Sequence, residues 1–362
     1  LNFLTRGTQI AEVFVKRAAI VGATGFGGLG LIDILSRHPE IEIASLSALD
    51  HGKEISSMFP HIEGICSLEV LPPEQAGTEG IDIAFLSTPD QAGMKIAKKY
   101  YDRNIPVIDF SGDFRFSSTS EYSVYAGNKG MSDNHDSPDL LNHSVYGLPE
   151  KYHDRIAGAA IIGNPGCFAM SMILGLLPAV ESGIINPGTV ICDGKTGVSG
   201  AGINPGAANT YPARYDNTNT YKEGRHQHLV EVETILNRFA GSGEYKIMFV
   251  PQIVPMNRGI LTTIYCDPAS PCDTKKLIEL YSEYYCKSPF IHVTDKSPST
   301  ASVRGTNRCL IYPCLDSRTG KILIVSVIDN LMKGQSGNAV QNANIRLGLD
   351  QQTGLNLNPF YP

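Results

Sequence analysis

The sequence lacks the features that mark three common classes of protein. Its eight cysteines include no C-x-x-C pair, so the spacing of a zinc ribbon is absent and no disulfide framework is implied. Lysine and arginine form no block and the formal net charge is −6, so a basic surface for nucleic acid is missing. The longest apolar stretch, residues 169–180, is too short to span a bilayer. We therefore expect a protein of the reducing cytoplasm that has neither nucleic acid nor a membrane as its partner.

The chain does have the composition of an ordinary globular protein. Charged residues make up 18% and hydrophobic residues 42% of its 362 residues, and this length favours two domains with a core each. Residues 1–17 lack the apolar centre of a secretory signal, so we expect no such signal there; an organellar precursor stays open.

Residues 18–48 predict a strand, a glycine-rich turn, a helix and a second strand. The strands are "AAIV" and "IEIASL", and "LGLIDILSRH" between them has apolar residues at helical spacing. Apolar runs at "IDIAFLS" and "IPVIDFS" follow, with helical sequence between them. Because strands alternate with helices, we expect an α/β fold with a Rossmann-type, doubly wound parallel sheet over residues 1–165.

The second half of the chain has a different residue pattern. Beyond about residue 165, longer runs are rich in β-branched residues and are broken by glycine and proline, as in "GTVICDGKTG", "YKIMFVPQIVP", "GILTTIYCD" and "KILIVSVIDNL". We expect an α+β domain with a mostly antiparallel sheet over residues 166–332, followed by a helix in "GQSGNAVQNANIRLGL".

The glycine-rich turn predicts a nucleotide site. Glycines between a strand and a helix permit a tight turn and close backbone approach, and the helix N-terminus offers unpaired N–H groups to a pyrophosphate. Such a pattern is also compatible with a turn that binds nothing, but the strand before it and the helix after it favour a dinucleotide. The predicted cofactor contacts in "VGATGFGG" are Gly22, Ala23, Thr24, Gly25, Phe26, Gly27 and Gly28.

The end of the second strand predicts which dinucleotide binds. An acidic residue that hydrogen-bonds the ribose of NAD is expected there, but "IASLSALD" has Ser45 and Ser47, with Asp50 only later. Hydroxyl groups can donate to a 2′-phosphate that a carboxylate would repel. We therefore expect NADP(H), with Ser45 and Ser47 among its contacts.

One cysteine has the setting of a nucleophile. "NPGCFAMSMILGLL" puts Cys167 behind an Asn-Pro-Gly turn and at the start of a predicted helix. The N–H groups of a helix N-terminus favour a thiolate, and lowering a thiol pKa of about 8.5 by about two units would leave it mostly ionised at pH 7. A core cysteine beneath an apolar helix is the structural alternative. We expect Cys167 to be a nucleophile with a lowered pKa.

The segment "KEGRHQHLVEVETILNRF" offers a base to this thiol. Apolar residues from Leu229 onwards recur at helical spacing, so a helix is predicted to begin near His228. His226 lies just outside that helix, and two residues apart the two rings should point to opposite sides. We expect His226 to be the neutral base and His228 to be structural; a metal site that adds Glu231 to the two histidines is the disfavoured alternative.

Together these segments resemble the N-acetyl-γ-glutamyl-phosphate reductases, from about residue 18 to residue 355. The strings occur in the family's order: "GATGFGG", "VIDFSGDFRF", "VYGLPE", "NPGCFA", "KTGVSGAG", H-x-H-x-x-E, "VPMNRGILTTIY" and "DNLMKGQSGNAVQN". Aspartate-semialdehyde dehydrogenases are similar in architecture but share few of these strings.

The resemblance implies a reaction that these residues can perform. Cys167 would attack N-acetyl-γ-glutamyl phosphate, expel phosphate and form a thioester, which NADPH would reduce to the semialdehyde with His226 as the acid/base group. Arg115 in "GDFRF" would hold the carboxylate or phosphate of the substrate, with Asn164 beside it. A salt bridge is the structural alternative for Arg115.

The resemblance also implies roles for later segments. Ser199 and Gly200 in "SGAG" would lie against the nicotinamide, and Asn330 with residues 333–362 would return to the cofactor domain. Residues 166–332 would provide the contacts of a homo-oligomer, a dimer or a tetramer. Lys195 and Arg258 are better suited to structural roles.

The chain departs from the family's usual residues at five positions: Met170, Ser171, Leu229, Val230 and Gln252. These departures bear on the substrate more than on the chemistry. A reductase of aspartyl phosphate or of a carrier-bound aminoadipyl phosphate stays open, as does an NADP-binding sensor without activity. A thiol hydrolase would leave the glycine loop unexplained.

Overall fold

The computed structural model describes residues 15–207 and 209–361. Residues 1–14, on which the expectation about a signal segment falls, lie outside that part. The chain forms two sheets, and one long helix after residue 166 joins them.

The first sheet is parallel throughout, as the alternation of strands and helices predicted. Its strands in the described residues are β1 (Lys16–Val21), β2 (Ile41–Ser47), β3 (Val70–Leu71), β4 (Ile83–Leu86), β5 (Val107–Asp109), β6 (Ser144–Tyr146) and β7 (Ile161–Gly163). The helices between them are α1 (Phe26–Leu35), α2 (Ile55–Met58), α3 (Gly93–Tyr101), α4 (Thr119–Lys129) and α5 (Pro149–Ala157). Strands β1 and β4 are buried almost throughout, because helices cover both faces of the sheet.

The order of these strands determines where a ligand can bind. They are arranged β3-β2-β1-β4-β5-β7-β6, so the chain moves outwards from β1 in one direction and then resumes at β4 on its other side. In open parallel sheets a crevice lies outside the carboxyl ends of the strands at such a reversal. The glycine-rich turn follows β1 directly and therefore lies at this crevice.

The second sheet is mixed and mostly antiparallel, which confirms the predicted architecture. Its strands in the described residues are β8 (Ile191–Thr196), β9 (Asn219–Thr220), β10 (Met248–Ile253), β11 (Ile260–Cys266), β12 (Ile291–Val293), β13 (Cys309–Asp316) and β14 (Lys321–Ile328), in the order β12-β13-β14-β11-β8-β10-β9. The accompanying helices are α6 (Cys167–Glu181), α7 (Tyr211–Arg214), α8 (His228–Phe239), α9 (Thr274–Tyr284) and α10 (Gly337–Arg346). Short 3-10 turns lie at Pro60–Ile62, Pro73–Gln75, Pro138–His143, Pro187–Thr189, Val198–Ala201 and Thr300–Ser302.

Helix α6 lies at the centre of the molecule. Its residues from Phe168 to Val180 are buried, because it packs on one side against α8 and on the other against β11 and β14. Pro178 inside the helix cannot donate to the carbonyl of Leu174. The hydroxyl of Tyr285 donates to that carbonyl at 2.6 Å, and the hydroxyl of Tyr281 donates to Gly175 at 2.6 Å. Two tyrosines thus satisfy backbone groups around the proline in the helix that begins with Cys167.

The end of the chain returns to the first sheet. A π-helical turn, Met332–Ser336, follows β14 and leads into α10, which packs against α1 and α5. The hydroxyl of Ser336 donates to the carbonyl of Gly27 at 2.9 Å. The π-helical turn therefore connects the second sheet to the glycine-rich loop.

Candidate active site

A cavity of about 900 Å³ lies between the two sheets. The segments that line it include the glycine-rich turn after β1, the turn that carries Cys167, the loop after β8, the loop before α8 and the π-helical turn. The cavity therefore brings the predicted nucleotide loop and the predicted nucleophile to one space.

The glycine-rich turn has the geometry of a pyrophosphate site. Gly22 has φ +86°, and a side chain there would overlap the carbonyl of Ser87, so this position requires glycine. At Gly25 a β-carbon would have no neighbour closer than 3.8 Å, so the backbone is open towards the cavity. Gly25 is also the N-cap of α1, and no side chain caps the helix. The N–H groups of its first turn thus stay available to an anion.

Not every predicted cofactor contact faces the cavity. Gly22, Thr24, Gly25, Phe26 and Gly27 line it, whereas Ala23 and Gly28 are buried beneath the turn, where Gly28 allows close packing of α1 on that turn.

The two serines of β2 lie near the end of the strand, outside the cavity lining. Ser47 is buried, and within residues 15–207 and 209–361 its hydroxyl has no hydrogen-bond partner. The hydroxyl of Ser45 accepts the N–H of Gly77 at 3.5 Å. The lining beyond the end of β2 comes instead from Ala48, Leu49 and Asp50, with Glu74 nearby. Neither Ser45 nor Ser47 lines the cavity among the described residues, and direct contact of either serine with the cofactor stays a prediction.

Cys167 is the first residue of α6 and lines the cavity, as predicted. The prediction of a lowered thiol pKa was wrong: burial raises the pKa of Cys167 to about 11. The N–H of Phe168 and the charge of Arg115 act in the opposite direction but do not outweigh desolvation. The sulfur is therefore a neutral thiol at pH 7 in this structure.

Arg115 is fixed by the protein itself. Its Nη1 donates to Glu231 at 2.8 Å, its Nε to the carbonyl of Asn164 at 2.8 Å, and its Nη2 to the carbonyl of Phe110 at 2.6 Å. Both members of the ion pair are buried, and Glu231 raises the pKa of Arg115 despite the opposing effect of burial. Arg115 lines the cavity, but its charge is already neutralised by a carboxylate.

Glu231 connects the helix of the histidines to the cysteine turn. Besides the ion pair with Arg115, its carboxylate accepts the hydroxyl of Tyr146 at 3.1 Å and the N–H of Gly166 at 3.0 Å. From the sequence, Glu231 was a candidate only for a metal ligand. Its position in H-x-H-x-x-E, one helical turn beyond His228, was the signal for a role near the histidines.

Asn164 is held in a network rather than free to meet a substrate. Its amide oxygen accepts N–H groups of Asn338 at 2.8 Å and Asn342 at 3.3 Å, and its Nδ2 donates to the carbonyl of Gln335 at 3.0 Å. The network fixes the cysteine turn against the π-helical turn and α10. Substrate contact by Asn164 remains a prediction.

His226 and His228 both line the cavity, with ring centroids 4.7 Å apart. The backbone N–H of His228 donates to Nδ1 of His226 at 3.2 Å, so the proton of the neutral His226 ring lies on Nε2. Burial, followed by the positive charges of neighbouring groups, lowers the pKa of His226 to about 2. His226 is thus neutral at pH 7, as predicted, and its Nε2 is a donor. Among the described residues, Nδ1 of His228 is buried and has no hydrogen-bond partner.

The π-helical turn contributes residues that the sequence analysis did not identify. A β-carbon at Gly334 would lie 2.8 Å from the β-carbon of Cys167, so this turn is in direct contact with the predicted nucleophile. Gln335 lines the cavity, and its Oε1 is buried with no hydrogen-bond partner in the part of the chain that the structure describes. Thr88 also lines the cavity, and among the described residues its buried hydroxyl likewise has no hydrogen-bond partner. Such unpaired atoms are the groups that a polar ligand would satisfy.

The other predicted contacts lie as follows. Ser199, Gly200 and Asn330 line the cavity, and Asn330 donates to the hydroxyl of Ser199 at 3.0 Å. Lys195 pairs with Asp193 at 2.7 Å and Arg258 with Asp329 at 3.1 Å, as structural residues do.

The positions that depart from the family's usual residues lie outside the cavity lining. Met170 and Leu229 belong to the core, and Ser171 donates to Thr262 at 2.9 Å within it. Val230 packs against a neighbouring core cluster, and Gln252 donates to Asp193 at 2.7 Å on the second sheet. These substitutions change packing around the site rather than its surface.

Over residues 15–207 and 209–361, no three histidine, cysteine, aspartate or glutamate side chains are grouped to hold a metal ion. In the same ranges, no helix combines the length and the apolar character that crossing a membrane would require.

Two family descriptions match the chain, one for each sheet. "Semialdehyde dehydrogenase, NAD binding domain" covers residues 17–159 and "Semialdehyde dehydrogenase, dimerisation domain" covers residues 167–330. The N-acetyl-gamma-glutamyl-phosphate reductase of Oceanobacillus iheyensis is 39% identical over 353 residues, which are 96% of this chain and 100% of that protein. The protein of the same name from Thermoanaerobacter sp. is 40% identical over 351 residues, with 96% and 99% covered.

Solved structures share the fold at lower identity. Aspartate semialdehyde dehydrogenase II of Vibrio cholerae has a TM-score of 0.69 and 19% identity, with 92% of this chain and 99% of that chain covered. Aspartate semialdehyde dehydrogenase with NADP from Candida albicans has a TM-score of 0.62 and 19% identity, with 91% and 98% covered.

Proposed function

This chain belongs to the semialdehyde dehydrogenase family and, within it, to the N-acetyl-γ-glutamyl-phosphate reductases, and on that premise we propose how its cavity performs the reaction. It is an oxidoreductase that reduces N-acetyl-γ-glutamyl phosphate to N-acetylglutamate 5-semialdehyde with release of phosphate, a step of arginine biosynthesis.

The residues around the glycine turn suit a nicotinamide dinucleotide. The uncapped N-terminus of α1 and the open backbone at Gly25 would hold the pyrophosphate, and Thr88 and Gln335 offer unpaired polar atoms to the nicotinamide end. When bound, the reduced nicotinamide supplies a hydride to the acyl carbon.

We propose NADPH as the preferred donor, since a relative of the same fold is described with NADP. Two carboxylates of the lining, Asp50 and Glu74, would repel the 2′-phosphate of NADPH and so oppose this preference. The ratio of kcat/KM for NADPH and NADH, measured for the wild type and Asp50→Ser, tests this. The serine variant should favour NADPH further, and a wild type that prefers NADH would refute the proposal.

Cys167 is the nucleophile in this proposal. Its sulfur attacks the acyl phosphate, the S–C bond forms as the C–O bond to phosphate breaks, and a thioester remains. Because burial raises the pKa of the Cys167 thiol, the thiol must lose its proton to water as the substrate binds. The start of α6 then stabilises the anion. Collapse of the reduced hemithioacetal restores the thiolate and releases the semialdehyde.

We propose two roles for His226, and the position of its proton suits the first, which is hydrogen-bond donation. With its proton on Nε2, the neutral ring can hydrogen-bond the acyl oxygen on which negative charge develops in both tetrahedral species. Accepting a proton requires the contact between its Nδ1 and the N–H of His228 to open. We propose that His226 acts as the donor during attack and as the acid/base group once that contact opens.

The observation that carries this proposal is that one cavity holds both the glycine turn and Cys167 at the start of α6. Phosphate-dependent oxidation of N-acetylglutamate semialdehyde, compared with aspartate semialdehyde, tests the substrate. Mass spectrometry after mixing enzyme with acyl phosphate, without nucleotide, should detect acylated Cys167. A preference for aspartate semialdehyde refutes the substrate, and an enzyme never acylated at Cys167 refutes the mechanism.

We also propose that two copies associate through the open face of the second sheet. Tyr265 is 38%, Ile191 40% and Met248 61% exposed on that face, beside the half-buried Leu310 and Leu323. The family description for residues 167–330 names a dimerisation domain, which supports a homodimer or a tetramer built from it. Leu323→Asp should lower the mass measured by light scattering to that of a monomer; an unchanged mass would refute this surface.

We place the enzyme in the cytoplasm, because all eight of its cysteines are free. Fluorescence microscopy of the tagged chain in its host cell tests this assignment.

A further inference from the structure

The cavity carries little positive charge for so anionic a substrate. In the described ranges, Arg115 and Lys222 are the arginine and lysine side chains of its lining. The charge of Arg115 is neutralised by Glu231 at 2.8 Å, and both side chains are buried. The substrate brings a phosphate and a carboxylate, so one further cation is needed near one of them.

Lys222 is available for that purpose. Its ammonium donates to the amide oxygen of Gln227 at 3.2 Å, which is a neutral partner. Within residues 15–207 and 209–361, no carboxylate forms an ion pair with it, whereas Lys129 nearby is paired with Asp90. Lys222 is half-buried at the wall of the cavity, so its charge is only partly screened by water.

The backbone holds Lys222 in an unusual conformation. Its φ is +48°, in the left-handed region that lysine seldom adopts. The turn is fixed on both sides of it, because Tyr221 donates to Pro251 at 3.1 Å and Arg225 donates to the carbonyl of Lys222 at 3.1 Å. Backbone held in such a region by its surroundings is found preferentially at functional positions.

The two cations act on different parts of the site. Arg115 lies against the turn that carries Cys167, because its Nε donates to the carbonyl of Asn164 at 2.8 Å. Lys222 lines the cavity from the loop before α8, which also carries His226. The two cations therefore approach the cavity from different segments, and Lys222 is the one on the segment of His226.

We propose that Lys222 binds the α-carboxylate of the substrate. This inference rests on the proposed function, since it takes the acyl carbon to be at Cys167. In that pose two methylene groups and the α-carbon separate the acyl carbon from the carboxylate. Lys222 then selects substrates that carry an anionic group at this distance from the reacting carbon, and Gln227 positions its ammonium.

The test compares two aldehydes in the phosphate-dependent oxidation. N-Acetylglutamate semialdehyde carries the α-carboxylate, and 4-acetamidobutanal is the same molecule without it. For Lys222→Met we expect KM for the first aldehyde to rise about 10- to 100-fold, the worth of one charge-assisted hydrogen bond, with a smaller change in kcat. For 4-acetamidobutanal the variant and the wild type should have the same kcat/KM. Lys222→Arg should recover most of the loss.

Arg225→Met is the matched control, because it removes a positive charge from the same turn at an exposed position outside the lining. It should leave both aldehydes unaffected. Nucleotide affinity and the melting temperature of Lys222→Met show that the variant is folded. Equal losses on both aldehydes, or a raised KM for inorganic phosphate, would overturn the assignment and place Lys222 at the phosphate. A wild type inactive on N-acetylglutamate semialdehyde would instead overturn the proposed function, and this inference with it.

Discussion

The carboxylate of Glu231 accepts the backbone N–H of Gly166 at 3.0 Å, one residue before the nucleophile. The same carboxylate pairs with Arg115, whose Nε holds the carbonyl of Asn164 at 2.8 Å. Two buried charges therefore fix the turn from which Cys167 projects. Because both groups are already satisfied by protein, we expect both to position this turn; contact of Arg115 with the substrate stays a prediction.

Replacing Glu231 with alanine should both destabilise the protein and misplace the thiol. Arg115 would remain buried without a counter-charge, at a cost of about 3–5 kcal/mol. Denaturant unfolding measures this loss, and kcat measures the misplacement. Tyr146→Phe, which removes a single hydrogen bond to Glu231, should cost only about 1 kcal/mol. If the alanine variant unfolded at the same denaturant concentration as the wild type, the positioning role would be wrong.

Replacing Cys167 with serine should abolish reduction while nucleotide binding stays near the wild-type value. A hydroxyl is a far weaker nucleophile than a thiolate at this position. Steady-state assays and a fluorescence titration with NADPH measure the two effects. Cys286→Ser, at an exposed cysteine, is the control and should be fully active. A serine variant with a tenth of the wild-type rate would refute the assignment.

The two histidines should respond differently to replacement by asparagine. Loss of the Nε2 donor in His226→Asn should reduce kcat about 100-fold or more and alter the pH profile, as for an acid/base group. His228→Asn should mainly reduce stability, since His228 is buried against Gly166. Rates and melting temperatures of both variants decide the matter. An inactive His228 variant beside an active His226 variant would reverse the assignment.

Features that depend on backbone alone could be predicted from the sequence. The glycine turn, the start of α6 at Cys167 and the start of α8 at His228 were predicted because local spacing determines them. The raised pKa of Cys167 could not be predicted, because it depends on which residues cover the sulfur. The ion pair of Arg115 and Glu231 joins residues 116 positions apart, and a single sequence gives no signal for such a pairing.

Strand β13 was also missed, for a different reason. Pro313 lies within it, and proline normally argues against a strand with neighbours on both sides. The neighbouring strand β12 pairs only with residues 309–311 of β13, so the strand is already at the edge of the sheet where the proline occurs. The proline is tolerated because of how the strands are paired, and the pairing of strands cannot be read from the sequence pattern.

Removing the hydroxyl of Tyr285 should destabilise the central helix. In Tyr285→Phe the carbonyl of Leu174 would be buried without a partner, because Pro178 has no N–H to offer it. We expect a loss of about 1–3 kcal/mol in the free energy of unfolding. Tyr284→Phe is the neighbouring control, since its hydroxyl contacts Glu181 at the surface and should contribute little. Equal losses of unfolding free energy in the two variants would refute the stabilisation of the helix by the Tyr285 hydrogen bond.

Buried His226 should also make the free energy of unfolding depend on pH. The pKa of His226 is about 2 in the folded chain, because of burial and then of neighbouring positive charge, against 6.5 when unfolded. Below pH 6.5 the unfolded chain therefore takes up a proton that the folded chain does not. The free energy of unfolding therefore does not depend on the protonation of His226 above pH 6.5. It falls as the pH falls from 6.5 towards 2, by up to about 1.4 kcal/mol per pH unit. Between pH 7.5 and 5.5, denaturant unfolding should show a loss about 1.4 kcal/mol larger in the wild type than in His226→Asn. Parallel losses in the two proteins would mean that His226 accepts its proton in the folded state, and with it that the ring is not held as a neutral donor in the cavity.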